Sequence, residues 1–271
     1  MAETAYICTT CGVQYPPSAT SPAHCPICED ERQYVNPAGQ SWTTPDELRA
    51  TRQLDWRELE PGLVGIGAAP QIAIGQRALF LPQPGGGVMW DSIPLVSEDA
   101  IVRIRAAGGL RAIAISHPHF FAAMVDWSEA LDNTPIYLHA DLEPHVTGPS
   151  PNIRYWSGET HDLGGGVTLV RCGGHFAGST VLHWAAGAAG KGALFTGDTI
   201  MVTADTRWMS FMRSFPNYIP LNRATVQRIV GAVEPSPFDR VYGAWWNQVA
   251  REEGQQRLKR SAARYLAAIA D

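Results

Sequence analysis

The apolar positions of this chain change their rhythm near residue 61. Before it, isolated apolar residues are scattered among Pro, Gly, Ser, Thr and Cys. After it, short apolar runs alternate with amphipathic stretches. Q-I-A-I-G-Q-R-A-L-F-L-P and G-G-G-V-M-W-D read as strands joined by a Pro/Gly turn. S-E-D-A-I-V-R-I-R-A-A-G-G reads as a helix, with Ser97 as N-cap, acids in the first turn and glycine past the end. Strand R-A-I-A-I-S, helix A-A-M-V-D-W-S-E-A-L and strand P-I-Y-L-H follow. Strands V-T-L-V-R, T-V-L-H-W and A-L-F-T-G-D come next. Helix N-R-A-T-V-Q-R-I-V, strand R-V-Y-G and a long helix from about Gln248 end the chain. Early strand pairs followed by βα alternation predict an α/β domain, sheets covered by helices, over residues 61–271.

Chemistry-bearing residues sit where those strands should end. His117 and His119 follow R-A-I-A-I-S, His175 follows V-T-L-V-R in C-G-G-H-F-A-G-S, and Asp198 follows A-L-F-T-G. Three imidazoles and a carboxylate suit Zn²⁺ or another borderline transition metal. Asp91 ends another apolar run and is read as a structural group holding the loop at His117.

The first 35 residues carry a second metal signal. Cys8-x-x-Cys11 and Cys25-x-x-Cys28 present four thiolates, as structural zinc or rubredoxin-type iron requires. So short a module cannot bury a core, and its metal should supply most of its folding energy. Residues 36–60 read as a linker, with a helix start at Thr44-Pro45-Asp46-Glu47.

Composition narrows the class. The chain has 271 residues, 45% hydrophobic and 17% charged, with net charge −5. That balance gives no basic footprint for nucleic acid. No apolar stretch reaches the ~18 residues of a membrane span. Paired C-x-x-C units without an export signal favour metal over disulfides and a cytoplasmic location.

These motifs carry two resemblances. Y-I-C-T-T-C-G…H-C-P-I-C resembles the short rubredoxin-like domain of rubrerythrins. Gly12 matches that family; Glu29 replaces its second glycine, which favours structural zinc over iron. The large domain resembles the metallo-β-lactamase superfamily. V-M-W-Asp91, S-His117-P-His119, C-G-G-His175-F-A-G-S and F-T-G-Asp198-T match its landmarks in order. The resemblance implies an αββα sandwich with the metal site between the edges of two sheets, preceded here by the Cys₄ ribbon. It also shows departures. Phe121 and Ala122 replace the Asp and His of H-x-H-x-D-H, and Tyr242-Gly243-Ala244-Trp245 replaces the late G-H-G. The second metal's ligands are missing. His117, His119 and His175 remain for a mononuclear centre, with Asp198 as fourth ligand or base.

Around that centre, Arg213, Asn217 and Tyr218 stand among Met, Phe and Pro in W-M-S-F-M-R-S-F-P-N-Y-I-P-L, and suit a substrate pocket with one cation for an anionic group. Trp245 and Trp246 either plug the vacated second site or stack on a ligand. His139 and Asp141 are candidate rescue ligands or proton donors, and Asp141 also suits a helix cap. Cys172 is read as a small core residue. His24 suits an exposed loop.

The leading expectation is a zinc-dependent hydrolase. A metal-activated water would attack an ester, thioester, lactone or amide bond in a small-molecule substrate, with Asp198 handling the proton. Phosphodiester cleavage fits poorly without the second metal. A mononuclear iron oxidoreductase with iron at either site, and a non-catalytic metal-stabilised binding protein, are the alternatives.

Overall fold

The early apolar runs become adjacent strands of one seven-stranded sheet. The computed structural model describes residues 3–270. It divides into two units: residues up to Leu138 with Glu143–Tyr155, and His139–Leu142 with the chain from Trp156 on.

The first unit opens with β1 (Ile7–Cys8), the short helix α1 (Pro26–Glu29) and β2 (Trp42–Thr43), which pairs with β1. Helix α2 (Pro45–Thr51) starts where Thr44 predicts: its side chain accepts from the Glu47 N–H, and Glu47 reaches back to complete a capping box. Then come β3 (Gln53–Glu60), β4 (Leu63–Ala69), β5 (Ala78–Leu81) and β6 (Gly87–Trp90). Helix α3 (Glu98–Ala106) has Ser97 as its N-cap, accepting from the Ala100 N–H, as its sequence predicts. After it run β7 (Leu110–Ala114), α4 (Met124–Ala130), β8 (Ile136–His139) and β9 (Ile153–Trp156). The sheet order is β3-β4-β5-β6-β7-β8-β9. Strands β6, β7 and β8 are parallel. Every residue of β5 and β6 is buried, which is why they read as continuous apolar runs.

Two expectations need correction here. Residues 71–77 are not strand. Gly75 N–H bonds back to the Ile72 carbonyl at 2.8 Å, and Ala73 and Gly75 take positive φ, so the chain turns before β5 begins. The stretch 36–60, expected to link, carries β2, α2 and the eight-residue β3. No residue of Q-L-D-W-R-E-L-E is fully buried in this edge strand, so it lacks an apolar signature.

The second unit contains β10 (Thr160–Gly164), β11 (Val167–Arg171), β12 (Thr180–Trp184), the short α5 (Gly187–Gly190) and β13 (Ala193–Gly197). Two small hairpins follow, β14 (Met201–Val202) with β15 (Met209–Ser210), and β16 (Met212–Ser214) with β17 (Ile219–Pro220). Helix α6 (Arg223–Val233), β18 (Arg240–Gly243), β19 (Val249–Ala250) and α7 (Gly254–Ala268) complete it. The main sheet runs β10-β11-β12-β13-β18-β19, with β13 and β18 parallel. Val226 and Ile229 of α6 and Leu258 of α7 share a buried core with Val170, Val181, Leu194 and Val241. The last helix begins six residues later than its sequence suggests, because Val249 and Ala250 pair with Tyr242 and Val241 as a strand.

Candidate metal centres

The four cysteines meet in the first unit. Cys8, Cys11, Cys25 and Cys28 each offer a sulfur, all four sulfurs lie within 4.8 Å of one another, and all four residues are buried. Cys8 Sγ is 3.5 Å from Cys28 Sγ, and Cys11 Sγ is 3.6 Å from Cys25 Sγ. A tetrahedral ion with bonds of ~2.3 Å needs sulfur–sulfur edges of about 3.8 Å. A disulfide needs ~2.05 Å. The cluster therefore has the dimensions of a metal cage.

Each cysteine pair folds for a local reason. Gly12 takes φ +83°, which lets its N–H bond the Cys8 carbonyl at 2.8 Å. The second pair uses a single helical turn, α1, so Glu29 serves there without a positive φ. That explains the missing second glycine. Hydrogen bonds from Cys11 pull the Cys8 and Cys25 thiols below their ordinary range, and bonds with Cys25 hold Cys11 well above its own. A bound cation would relieve that competition for protons. Two further donors reach the sulfurs: Tyr15 Oη to Cys25 at 3.2 Å and Gln40 Nε2 to Cys8 at 3.1 Å. His24 is exposed and pairs with Glu29.

His117 and His119 sit beyond β7 in the same unit. The buried apolar strand delivers them, and Pro118–Phe120 then forms one tight turn. This brings their rings to 5.1 Å between centroids. Asp91 follows β6, and its carboxylate accepts the Ser116 N–H at 2.8 Å, the structural role read from its position. Ser116 Oγ lies 2.9 Å from His117 Nδ1 and orients the ring. Both histidines are buried.

His175 and Asp198 belong to the second unit. Beyond β11, Gly173 and Gly174 take φ +69° and +88°. A Cβ on Gly174 would come within 2.8 Å of Ile229 Cδ1, so only glycine lets the loop lie down on α6. His175 Nδ1 donates to the Met212 carbonyl at 3.2 Å, which leaves Nε2 with its lone pair. Asp198 Oδ2 is 3.9 Å from that nitrogen.

His117, His119, His175 and Asp198 are all buried, and their four ligand atoms lie within 4.8 Å of one another. The donor set suits zinc or iron.

The other expected site residues are spread over several elements. Arg213 lies on β16, next to the Met212 that orients His175, and Phe215 stands 6.1 Å from the His175 ring. Asn217 is exposed and donates its N–H to Ser214 Oγ. Tyr218 is 84% exposed at φ +56°. Trp245 follows β18, whose Gly243 pairs with Gly197 just before Asp198. His139 is engaged otherwise: Nε2 bonds the Gly158 carbonyl, Nδ1 accepts the Asp141 N–H, and burial pushes its pKa down. Asp141 is held by Arg171. Neither joins the metal groups found among the described residues. Cys172 is fully buried, and burial pushes its thiol up to about 12. It is a core residue. Nothing in the sequence marks Ser116, Tyr15, Gln40 or the Met212 carbonyl for these roles. A carbonyl has no residue type to signal it, and the three side chains carry no motif.

No family model matches the chain. The uncharacterized protein YmaE of Bacillus subtilis (strain 168) is 45% identical over 266 residues, covering 97% of this chain and 96% of that protein. The chain belongs to the YmaE family. Solved structures resemble this YmaE-family chain at lower identity. VMB-1 has a TM-score of 0.60 at 16% identity, over 81% of this chain and 100% of that one. DIM-1 metallo-β-lactamase has a TM-score of 0.59 at 13% identity, over 80% and 98%. The metallo-β-lactamase FIM-1 from Pseudomonas aeruginosa, in its mono-zinc form, has a TM-score of 0.58 at 13% identity, over 80% and 96%. The YmaE-family fold is therefore that of the metallo-β-lactamases, a mixed α/β fold with sheets flanked by helices. No helix among the described residues is long and apolar enough to cross a membrane.

Proposed function

We propose that the chain is a metal-dependent hydrolase with a single-metal centre at His117, His119, His175 and Asp198. The bond cleaved is an ester, thioester, lactone or amide in a small-molecule substrate bearing an anionic group. One observation carries this reading: three imidazoles and a carboxylate, all buried, converge their ligand atoms within 4.8 Å. Nitrogen and oxygen donors converging at that spacing are what a bound transition-metal ion requires. Phe121 and Ala122 supply no donors for a second ion. A metallo-β-lactamase of similar fold, FIM-1, has a mono-zinc form.

A bound Zn²⁺ would polarise the scissile carbonyl and lower the pKa of a water to ~7. The chain's own groups do the rest. Ser116 and the Met212 carbonyl hold two of the rings in place. Asp198 accepts the proton as water attacks the carbonyl carbon, then returns it to the leaving oxygen, sulfur or nitrogen as the old bond breaks. Arg213 offers a guanidinium to the substrate's anionic group.

The test is a panel of esters, thioesters, lactones and amides against the Zn²⁺-loaded chain. The chain should turn over members of one class, and His175→Ala should lose one metal equivalent together with that turnover. Undiminished turnover by the metal-depleted variant would sink the reading. Arg213→Ala should raise KM about tenfold, roughly one lost charge-assisted contact, with little change in thermal midpoint. A large stability loss with native kinetics would make Arg213 a structural residue instead.

A further inference from the structure

Three consecutive residues join the cysteine cluster to the turn that follows His119. Val13 accepts the Cys8 N–H on its carbonyl at 3.0 Å. Tyr15 donates its hydroxyl to Cys25 Sγ at 3.2 Å. Between them, the Gln14 N–H donates to the Ala122 carbonyl at 3.0 Å, and the Gln14 carbonyl accepts from Thr147 Oγ1 at 3.1 Å.

Ala122 closes the turn that presents His119. The Phe121 N–H bonds the Pro118 carbonyl, and Ala122 then takes φ +39°. That region is sparsely populated for a residue with a Cβ, and it persists only where neighbours hold it. Ser92 Oγ grips the Phe121 carbonyl at 2.8 Å from one direction. The Gln14 N–H grips the next carbonyl from the cysteine module. The module has little of its own to keep that grip. Ile7, Val13 and Ile27 are its only buried aliphatic side chains among the described residues up to 35, so its order should depend on its metal.

We propose that Val13–Tyr15 is a positioning strap, through which an ion in the Cys₄ site sets the turn carrying His119 and tightens metal binding at the histidines. The proposal rests on the reading of His117, His119, His175 and Asp198 as a metal centre. The two sites load cooperatively, and by linkage the effect is reciprocal: an ion at the histidines tightens the Cys₄ site equally. Without metal at the cysteines, the module loses the ion that orders it and Gln14 is released. Ala122 then relaxes, and the His119 imidazole loses its preset aim.

The experiment titrates the full chain with Co²⁺. At thiolates Co²⁺ gives an intense sulfur-to-metal charge-transfer band, whereas at imidazoles it gives only weak d–d bands, so each site reports separately. Tyr15→Phe removes one hydroxyl and keeps the ring on Trp42, 5.2 Å away between centroids. Thr147→Val removes the clamp on Gln14 and touches no thiolate. With the Cys₄ band at one equivalent, the histidine-site Kd should rise about tenfold, the lower end of what a lost outer-sphere partner costs. A merely structural bond would lower the thermal midpoint and leave that Kd unchanged. If Tyr15→Phe also weakens the Cys₄ band, Thr147→Val decides. Native histidine-site affinity in Thr147→Val, or in both variants, overturns the strap alone. A native chain that takes up no Co²⁺ at the histidines overturns the metal-centre reading and the strap with it.

Discussion

Asp198→Asn is expected to lower turnover by ~10²–10⁴-fold, the usual worth of a positioned general base. The substitution keeps the size and shape of the side chain and removes its capacity to take a proton. Asp198 is 5% exposed and follows buried β13, so its backbone should not move. Metal content at the histidine site should fall only partly, because three imidazoles remain. The measurement pairs kcat with metal stoichiometry on the same preparation. Near-native kcat with a full metal complement would remove Asp198 from proton transfer and leave it a ligand only. His139 and Asp141 could not readily take its place, since each is already bonded elsewhere.

The second large effect concerns folding. Cys25→Ser should abolish the Cys₄ equivalent and release the first 35 residues from their folded state. Structural zinc in small cysteine modules contributes on the order of 10–16 kcal/mol of apparent binding energy at neutral pH. The module's few buried aliphatic residues cannot replace that. Cys25 also accepts the Tyr15 hydroxyl, so its loss frees the strap as well. Amide hydrogen exchange should show protection lost over residues 3–35 and retained in β11–β13, whose core contains Val170, Val181 and Leu194. Native protection across residues 3–35 in the variant would show that the module folds without its metal.

Much of the candidate site is legible in the order of residues along the chain. Each ligand follows an apolar run, and buried strands end where apolar runs end, so spacing alone puts His117, His119, His175 and Asp198 at strand ends. The doubled C-x-x-C is equally local, since a turn of four residues brings its own two sulfurs together. The capping box at Thr44 and the N-cap at Ser97 are readable for the same reason: their partners lie three residues away. Strand β3 is not readable, because in a polar edge strand the hydrogen bonds come from β4 and leave no trace in side-chain type. The turn at residues 72–75 is hidden inside an apolar run, since hydropathy carries no record of φ.

The sequence by itself therefore determined the types of the candidate ligands, the two cysteine turns, most elements and the absence of donors at Phe121 and Ala122. Tertiary structure alone decided how those ligands are aimed. His175 is oriented by the Met212 carbonyl, 37 residues away, and Ala122 is held by the N–H of Gln14, which lies in the cysteine module. The physical reason is common to both. Every residue but proline carries the same backbone donor and acceptor, so which ones meet across long separations is set by packing and not by residue identity.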